Sequence, residues 1–482
     1  MSQPVKSPNL DSVTTINRDG SRYFLHPADV RGRFTNWRRV FGVVLIVVYV
    51  LLPWIRIGGF PAVFLDVEHR RFHLFGLSFA TQDLWMGFFV ITGLGFGLFY
   101  LTSLLGRLWC GWACPFTVFL DNIYRRIERL IDGDAPARRA LDKAPMEGTK
   151  VVRRVLKHTL FFLASSLIAH IFLSYFVSIP ALWAMLLGRP TEHLLAFGIV
   201  TALTLILYGA FSWFREQFCI IMCPYGRIQS ALTDDDTVVI GYDSRRGEPR
   251  GKAKTSGVGD CVDCRRCVQV CPTGIDIRNG LQLECIGCAA CIDACDDIMT
   301  KLHRPKGLVR YDSLNGFHGK PHRWIRPRTI LYTVMMLVGA GVLTFALSRL
   351  RSFNAGITRL PGSPFYIDSS KKVVRNQFQV RLLNKQHEPM SFRLAIEGLP
   401  EGSTVAGAAE SVKVKPLEEE VAALIVEVPA RSYRGHQPIV LRVTSDADGS
   451  SLTKSFEFTG PAPELLEQTF KIQEEQARQP KP

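Results

Sequence analysis

Two cysteine runs, CVDCRRCVQVCP at 261–272 and CIGCAACIDACD at 285–296, constrain this chain more than any other feature in it. Each places Cys at i, i+3, i+6 and i+10. Three close thiolates with a distant fourth is the spacing that wraps a cubane iron–sulfur cluster, and in the two-cluster arrangement the fourth Cys of each run crosses to the other cluster. Cys261, Cys264, Cys267 and Cys295 are therefore expected to hold one 4Fe–4S cluster, and Cys285, Cys288, Cys291 and Cys271 the other. Pro272 would turn the chain away after Cys271, and Asp296 stands where the second run would carry its proline. Zinc and disulfides are the competing readings. Tetrahedral zinc usually takes two separated Cys-x2-Cys pairs, and a doubled motif of this spacing is far more specific than a single one. Two adjacent clusters store and pass single electrons, so the runs predict an electron-transfer protein.

The chain has 482 residues, 47% of them hydrophobic, which is long for one domain and too apolar for an ordinary soluble protein. A net charge of +15 does not call for nucleic acid, because Lys and Arg gather beside apolar spans, where the positive-inside effect accounts for them. All 12 cysteines fall into four motifs. Eight clustered thiolates need reducing conditions for assembly, which places their domain in the cytoplasm. The N-terminus reads as lacking a secretory signal, and the chain shows no c-type haem attachment motif, Walker loop or strand-then-GxGxxG fingerprint. Gly93, Gly95 and Gly97 lie inside an apolar span and read as close helix-packing positions.

Five stretches, about 40–57, 84–105, 158–179, 193–214 and 328–347, approach the roughly 20 apolar residues that cross a bilayer as a helix. The loop after the second carries Arg125, Arg126, Arg129, Arg138, Arg139, Lys143, Lys150, Arg153, Arg154 and Lys157, and the N-terminal segment carries Arg31, Arg33, Arg38 and Arg39. Between the third and fourth spans stands only Arg189. This bias puts the N-terminus and both cysteine runs inside and everything after the fifth span outside. Trp37, Trp54, Trp85, Trp183, Trp213 and Trp324 read as interfacial anchors. Beyond about residue 365, FQVRLLN, SFRLAIEG, VAALIVEV, PIVLRVTS and LTKSFEFTG alternate apolar and polar residues between turn signals, as in an immunoglobulin-like sandwich.

The expected fold is a polytopic α-helical membrane protein with an inserted two-cluster ferredoxin-like domain and a C-terminal immunoglobulin-like β-sandwich. Its parts are a cytoplasmic segment at 1–39, four transmembrane helices within 40–230, and the ferredoxin-like domain at 231–327. A fifth helix at 328–347, a periplasmic β domain at 365–462 and a disordered tail at 463–482 follow. The setting is a bacterial cytoplasmic membrane.

A second pair of motifs, WCGWACPF at 109–116 and FCIIMCPY at 218–225, shares one design: aromatic, Cys, three residues, Cys, Pro, aromatic. Each follows an even-numbered span, a weak internal duplication. If each helix continues through its motif, the i and i+4 thiols share a face, and Pro115 and Pro224 end or kink it. Cys110, Cys114, Cys219 and Cys223 would then gather at the membrane surface beneath the clusters. Thiolates select Cu(I) or further iron–sulfur chemistry; a dithiol–disulfide couple and simple packing are the alternatives. Met222 could add a thioether, though packing explains it better. His170 lies in mid-span, where a hydrogen bond to a neighbouring helix accounts for it. His69 and His73, with Arg70 and Arg71, read as part of a solvated outer loop rather than a metal site.

Together these residues resemble the CcoG/FixG/RdxA family, accessory proteins in the assembly of cbb3-type cytochrome c oxidase. The resemblance covers nearly the whole chain: the basic N-terminal segment, FLDVEHRRFHLFG at 64–76, both Cys-x3-Cys-Pro motifs, the double cysteine block and the β domain. It implies a membrane cupric reductase that converts Cu(II) to Cu(I) for the oxidase, taking electrons from a cytoplasmic donor that the sequence does not name. Cys110, Cys114, Cys219 and Cys223 would be its catalytic copper-site residues, and the eight cysteines of the runs its cluster ligands. Partners would be the oxidase and its copper-delivery factors, with no nucleic acid and with a homodimer allowed. The runner-up is an electron relay between a quinol pool or cytoplasmic donor and a respiratory reductase, and a third reading is a non-catalytic assembly scaffold.

Overall fold

The computed structural model describes Thr15 and residues 23–468 except 69, 81, 82, 254, 256, 350, 369, 387, 408–410 and 467. His69, most of the N-terminal segment before residue 23, and residues 469–482 of the expected disordered tail lie outside that set. Two compact units result. One comprises the chain to Phe75 with Asp83–Phe345, and the other comprises Gly76–Gln82 with the chain from Ala346 onward.

Among the described residues of the chain, five helices are long and apolar enough to cross a membrane. They are α1 (Arg33–Leu51), α2 (Leu84–Leu105), α3 (Gly148–Leu173), α4 (Leu194–Gly209, prolonged by a π-helical turn, Ala210–Phe214) and α5 (Pro327–Ser348). Their apolar side chains are largely uncovered by protein, as lipid-facing helices require. The ends differ from the apolar runs for physical reasons. Helix α1 starts at Arg33 rather than near residue 40 because Asp293, in the second cysteine run, caps it. Its carboxylate accepts from the Phe34 and Thr35 amides (3.2 and 2.6 Å) and from the Thr35 hydroxyl (2.7 Å), satisfying N–H groups that a helix start leaves unpaired. The helix stops at Leu51, just ahead of Pro53, which cannot continue it.

Helix α3 likewise begins at Gly148 rather than near 158. Its first turns are held to the protein by two buried lysines: Lys150 Nζ donates to the Ala144 and Asp142 carbonyls (2.6 and 3.1 Å), and Lys157 pairs with Asp132 at 2.6 Å. It ends at Leu173, and Ile179–Leu187 forms a separate helix with Pro180 in its first turn. His170 Nδ1 donates to the Ser166 carbonyl of its own helix at 2.7 Å, so its local partner is not a neighbouring helix. A Cβ on Gly93 or Gly95 would meet open space, and only Gly97 approaches a neighbour, Met336 of α5, at 3.8 Å; the close packing expected of all three is confined to one. The loop after α1 carries an antiparallel hairpin, Val63–Asp66 with Arg71–Leu74. Within it His73 is buried and stacks on Phe60 at 4.0 Å, so this residue belongs to a packed layer and not to a solvated loop.

The cysteine runs sit in a small domain built on a two-stranded ribbon, Val239–Tyr242 with Val309–Asp312, and on the helices Arg266–Gln269 and Ala290–Lys301. Ile240, Ile275, Ile277, Ile292, Met299 and Leu308 form its core with the cysteines themselves.

The second unit is an immunoglobulin-like β-sandwich. One sheet orders the strands Thr404–Ala406, Glu419–Pro429, Val373–Asn384 and Phe353–Arg359; the other orders Val412–Val414, Met390–Glu397, Gln437–Ser445 and Ser451–Phe458. Alternate residues of each strand point inward, so Val374, Phe378, Val380 and Leu382 meet Phe392, Leu424, Val426, Ile439 and Leu441 in one core. The first strand begins at Phe353, ahead of residue 365, because FNAGITR pairs with the edge of Val373–Asn384.

Candidate functional site

The two cysteine runs adopt the same local backbone. Asp263 and Arg265 in the first, and Gly287 and Ala289 in the second, have φ between 51° and 70°. These stand two and four residues after the leading cysteine in each run. Left-handed residues spaced so closely curl each loop on itself, which turns successive thiols inward instead of alternating them. Asp296, at the proline position of the second run, lets its helix continue to Lys301 and accepts from the Gly307 amide at 2.9 Å.

One cavity is lined by Cys261, Cys264, Cys267 and Cys295. Another is lined by Cys271, Cys285, Cys288 and Cys291, together with Cys267. Among the described residues no three His, Cys, Asp or Glu side chains converge as they would on a single bound ion. Thiols standing around a void suit a polynuclear cluster, in which each iron takes one cysteine. Burial pushes the Cys267, Cys285 and Cys295 thiols up to about 12, and Cys291 well above its ordinary value. Cationic iron is the kind of partner that favours their thiolates. All twelve cysteines are free thiols.

The membrane-proximal motifs differ from the expected continuous helices. Helix α2 ends at Gly106, with φ 55° and ψ −128°. Cys110 lies in a short helix, Leu108–Trp112, and Cys114 caps a new one whose first residue is Pro115. The second motif repeats this. The chain breaks at Arg215, with φ 51° and ψ −128°; Cys219 lies in the π-helical turn Phe218–Met222, and Cys223 precedes a helix opened by Pro224. Each proline therefore starts a helix, where its missing N–H costs nothing, instead of ending one. The i and i+4 thiols are brought together by a turn rather than by a helix face.

Aromatic stacking joins the two turns. Phe116 stacks between Phe211 (4.8 Å) and Phe218 (4.5 Å), and Tyr124 lies on Phe211 at 4.3 Å. The four thiols come close enough to interact. Burial, and then a hydrogen bond with Gln229 acting in the opposite sense, set Cys110 at about 11, with Cys114 and Cys223 adding to the rise. Cys219 is raised by burial and by the other three. Gln229, fully buried, donates from Nε2 to Cys110 Sγ at 3.4 Å. Met222 is exposed, so it does not pack in the site as expected.

The Cys110 turn rests on the second cysteine run. A Cβ on Gly111 would stand 2.7 Å from the Ile286 carbonyl oxygen and 2.8 Å from the Cys288 amide, and one on Gly287 would stand 2.9 Å from the Arg107 carbonyl oxygen. Backbone lies on backbone here, which only glycine permits. Tyr311 donates to the Gly287 carbonyl at 2.6 Å and accepts from Trp112 Nε1 at 3.2 Å, fixing the same contact from the ribbon. Behind the turns lies a buried ionic network. Arg215 grips Glu128 at 3.1 and 2.9 Å, and Asp121 pairs with Arg38 (2.7 Å) and Arg125 (2.6 Å). Several basic residues read as loop charges are thus neutralised partners. Sequence reasoning missed Gln229, Asp293, Gly111 and Gly287. The glycine within Trp-Cys-Gly-Trp was an available signal; the other three had none.

As a first test of the runs, Cys264→Ser and Cys288→Ser are each expected to lower bound iron and acid-labile sulfide by one cluster's share while the other cluster stays. Full iron in both variants would show that the two cavities do not divide the ligands in this way.

Comparison with known proteins agrees with this architecture. Residues 214–314 match the family described as a 4Fe–4S dicluster domain, and residues 343–461 match the immunoglobulin-like fold at the C-terminus of FixG. Residues 86–132, which contain Cys110 and Cys114, match a 4Fe–4S binding domain. RdxA of Cereibacter sphaeroides is 38% identical over 396 residues, 78% of this chain and 82% of its own. The nitrogen fixation protein FixG of Rhizobium meliloti is 38% identical over 437 residues, 80% and 81% of the two chains. The crystal structure of a FixG-related protein from Vibrio parahaemolyticus covers 23% of this chain and 97% of its own, at 14% identity and a TM-score of 0.21.

Proposed function

The chain belongs to the FixG/RdxA family of membrane-bound iron–sulfur electron-transfer proteins, and from that premise we propose that it reduces Cu(II) to Cu(I) at Cys110, Cys114, Cys219 and Cys223. The Cu(I) would go to assembly of a cbb3-type cytochrome c oxidase. The observation that carries this reading is the contact of Gly111 with the Cys285–Cys288 loop, which sets a thiol-rich turn against a cluster cavity. Cys261, Cys264, Cys267 and Cys295 would hold one 4Fe–4S cluster and Cys271, Cys285, Cys288 and Cys291 the other; when bound, these supply electrons one at a time.

The chain's own groups do the rest. Copper as substrate displaces the thiol protons, which leave to water, and the Gln229 amide stabilises the charge on Cys110 Sγ. Thiolates bind Cu(I) better than Cu(II), so the ligand set itself favours reduction of the substrate ion by an electron that the clusters would supply. The electron originates in a cytoplasmic donor, and in this reading the N-terminus and cysteine runs face the cytoplasm while the β domain faces the periplasm.

A second reading, a third cluster at the four membrane-proximal thiols, is favoured by the match of residues 86–132 to a 4Fe–4S binding domain. One variant separates the two. Anaerobically purified Cys110→Ser/Cys219→Ser should keep its iron, be reduced by dithionite, lose Cu(I) binding and reoxidise more slowly than wild type when Cu(II) is added. Loss of iron in that variant would instead establish the third cluster. Unchanged Cu(II)-driven reoxidation would leave the thiols without a copper role and favour a relay to a respiratory reductase.

A further inference from the structure

We propose that the cavity enclosed by the start of α1, the Cys110 turn and the helix Arg125–Asp132 binds a phosphate-bearing ligand. The cavity holds about 120 Å³, and its walls carry Arg38, Arg39, Arg125, Arg126, Arg129 and Arg138 against only two carboxylates, Asp29 and Asp121.

The carboxylates are already committed. Asp121 is shared by Arg38 and Arg125, and Asp29 pairs with Arg129 at 2.8 Å. Arg138 approaches Glu128 at 3.6 Å, behind the wall. Among the described residues neither Arg39 nor Arg126 forms an ion pair with a carboxylate at salt-bridge distance; Arg39, which donates to the Val30 carbonyl at 3.5 Å, is attracted by Asp29 and repelled by Arg126 and Arg38. Donors are also left over. Arg38 Nη1, Arg125 Nε and Arg138 Nε are buried without a hydrogen-bond partner, and the Arg138 side chain is only 5% exposed. A buried donor left unpaired is costly, and several on one cavity wall mark the place of an acceptor.

Guanidinium forks match the paired oxygens of phosphate. Arg138 lies deepest, Arg38 and Arg125 are half-buried, and Arg126 and Arg129 stand exposed at the mouth. An anion entering there would meet rising positive charge as it loses water. Two sources offer this chemistry. Arg38 and Arg39 lie in the opening turns of α1, just before its apolar stretch, the level at which basic pockets between membrane helices take phospholipid headgroups. A soluble phosphate compound would enter by the same mouth. Gly111 and Pro272 close the cavity on the side of the cysteine runs. The proposal rests on this wall alone and is independent of copper reduction.

The test uses the full-length protein. Pyrophosphate is titrated calorimetrically into detergent-solubilised wild type, Arg39→Gln/Arg126→Gln and Arg126→Gln, with iron and sulfide content as the folding control. In parallel, each protein is reconstituted with phosphatidylglycerol or phosphatidylcholine and its retained lipid measured by native mass spectrometry. Loss of a charge-assisted contact should weaken binding about ten-fold or more in each variant. Weakened retention of phosphatidylglycerol would identify a lipid headgroup, and weakened pyrophosphate binding alone would identify a soluble ligand. Should the double variant lose iron, Arg126→Gln, at an exposed residue, decides. Binding of neither probe by wild type, or equal binding by wild type and Arg126→Gln, would overturn the proposal.

Discussion

Replacing Glu128 with Gln is expected to destabilise the helical unit by about 3–5 kcal/mol, since removing one partner of a buried ion pair leaves the others uncompensated. Glu128 is 3% exposed and receives both forks of Arg215 at 3.1 and 2.9 Å, with Arg138 and Lys157 at 3.6 and 3.8 Å. Typical domains are stable by only about 5–15 kcal/mol, so the loss is a large fraction of the whole. Adding Arg215→Gln should cost less than the sum of the two single changes, because the second no longer breaks a pair. The pH dependence follows from the same geometry. Burial alone would raise the Glu128 carboxyl, but Arg215, Lys157 and Arg138 outweigh it and hold the group below its ordinary 4.5. A carboxylate depressed in the folded state contributes fully above its unfolded value and loses that contribution as pH falls through the folded one. Wild type should therefore weaken on acidification below about 4.5, and Glu128→Gln should weaken less over the same range. Thermal unfolding followed by far-ultraviolet circular dichroism reads both. A variant as stable as wild type at neutral pH would show that the network carries no net stability.

Gly111→Val is expected to leave both clusters assembled and yet slow Cu(II)-driven reoxidation by about 100-fold, since a displacement of ~1 Å can cost roughly that factor in a geometry-limited step. The obstructing atoms are backbone, the Ile286 carbonyl oxygen at 2.7 Å and the Cys288 amide at 2.8 Å. They cannot swing aside as a side chain would, so the turn and the cysteine loop must separate. Stopped-flow absorbance of the dithionite-reduced protein measures the rate. Gly148→Ala, where an added Cβ meets nothing, is the control and should match wild type. A wild-type rate in an iron-replete Gly111→Val variant would mean that electrons reach the thiols by another route.

Features with a local cause were legible in the sequence. Cluster-type cysteine runs are read from spacing, because the loop that wraps a cluster is short, and the spanning helices are read from apolar composition. The sandwich shows in the alternation of strands such as FQVRLLN. Features with a distant cause were not. The start of α1 is set by Asp293, more than 250 residues away in the chain. The arginines of the loop after α2 look alike as text, and only tertiary structure separates buried Arg138 from exposed Arg126. The cysteine turns were half legible. Gly106 and the two prolines are ordinary signals for a helix end and a helix start, whereas Arg215 is an improbable residue for a left-handed break. It holds that conformation within the bidentate grip of Glu128.

Matched breaks at Gly106 and Arg215 introduce both thiol turns, yet the residue after the first cysteine is Gly111 in one and Ile220 in the other. Isoleucine at the first position would collide with the cysteine loop, so the halves are not interchangeable. A fold with a repeated hairpin thus acquires a front and a back. The glycine-bearing half lies backbone to backbone against the Cys285–Cys288 loop; the isoleucine-bearing half lacks the glycine that allows such an approach. The likeness of the two motifs ends at one missing side chain.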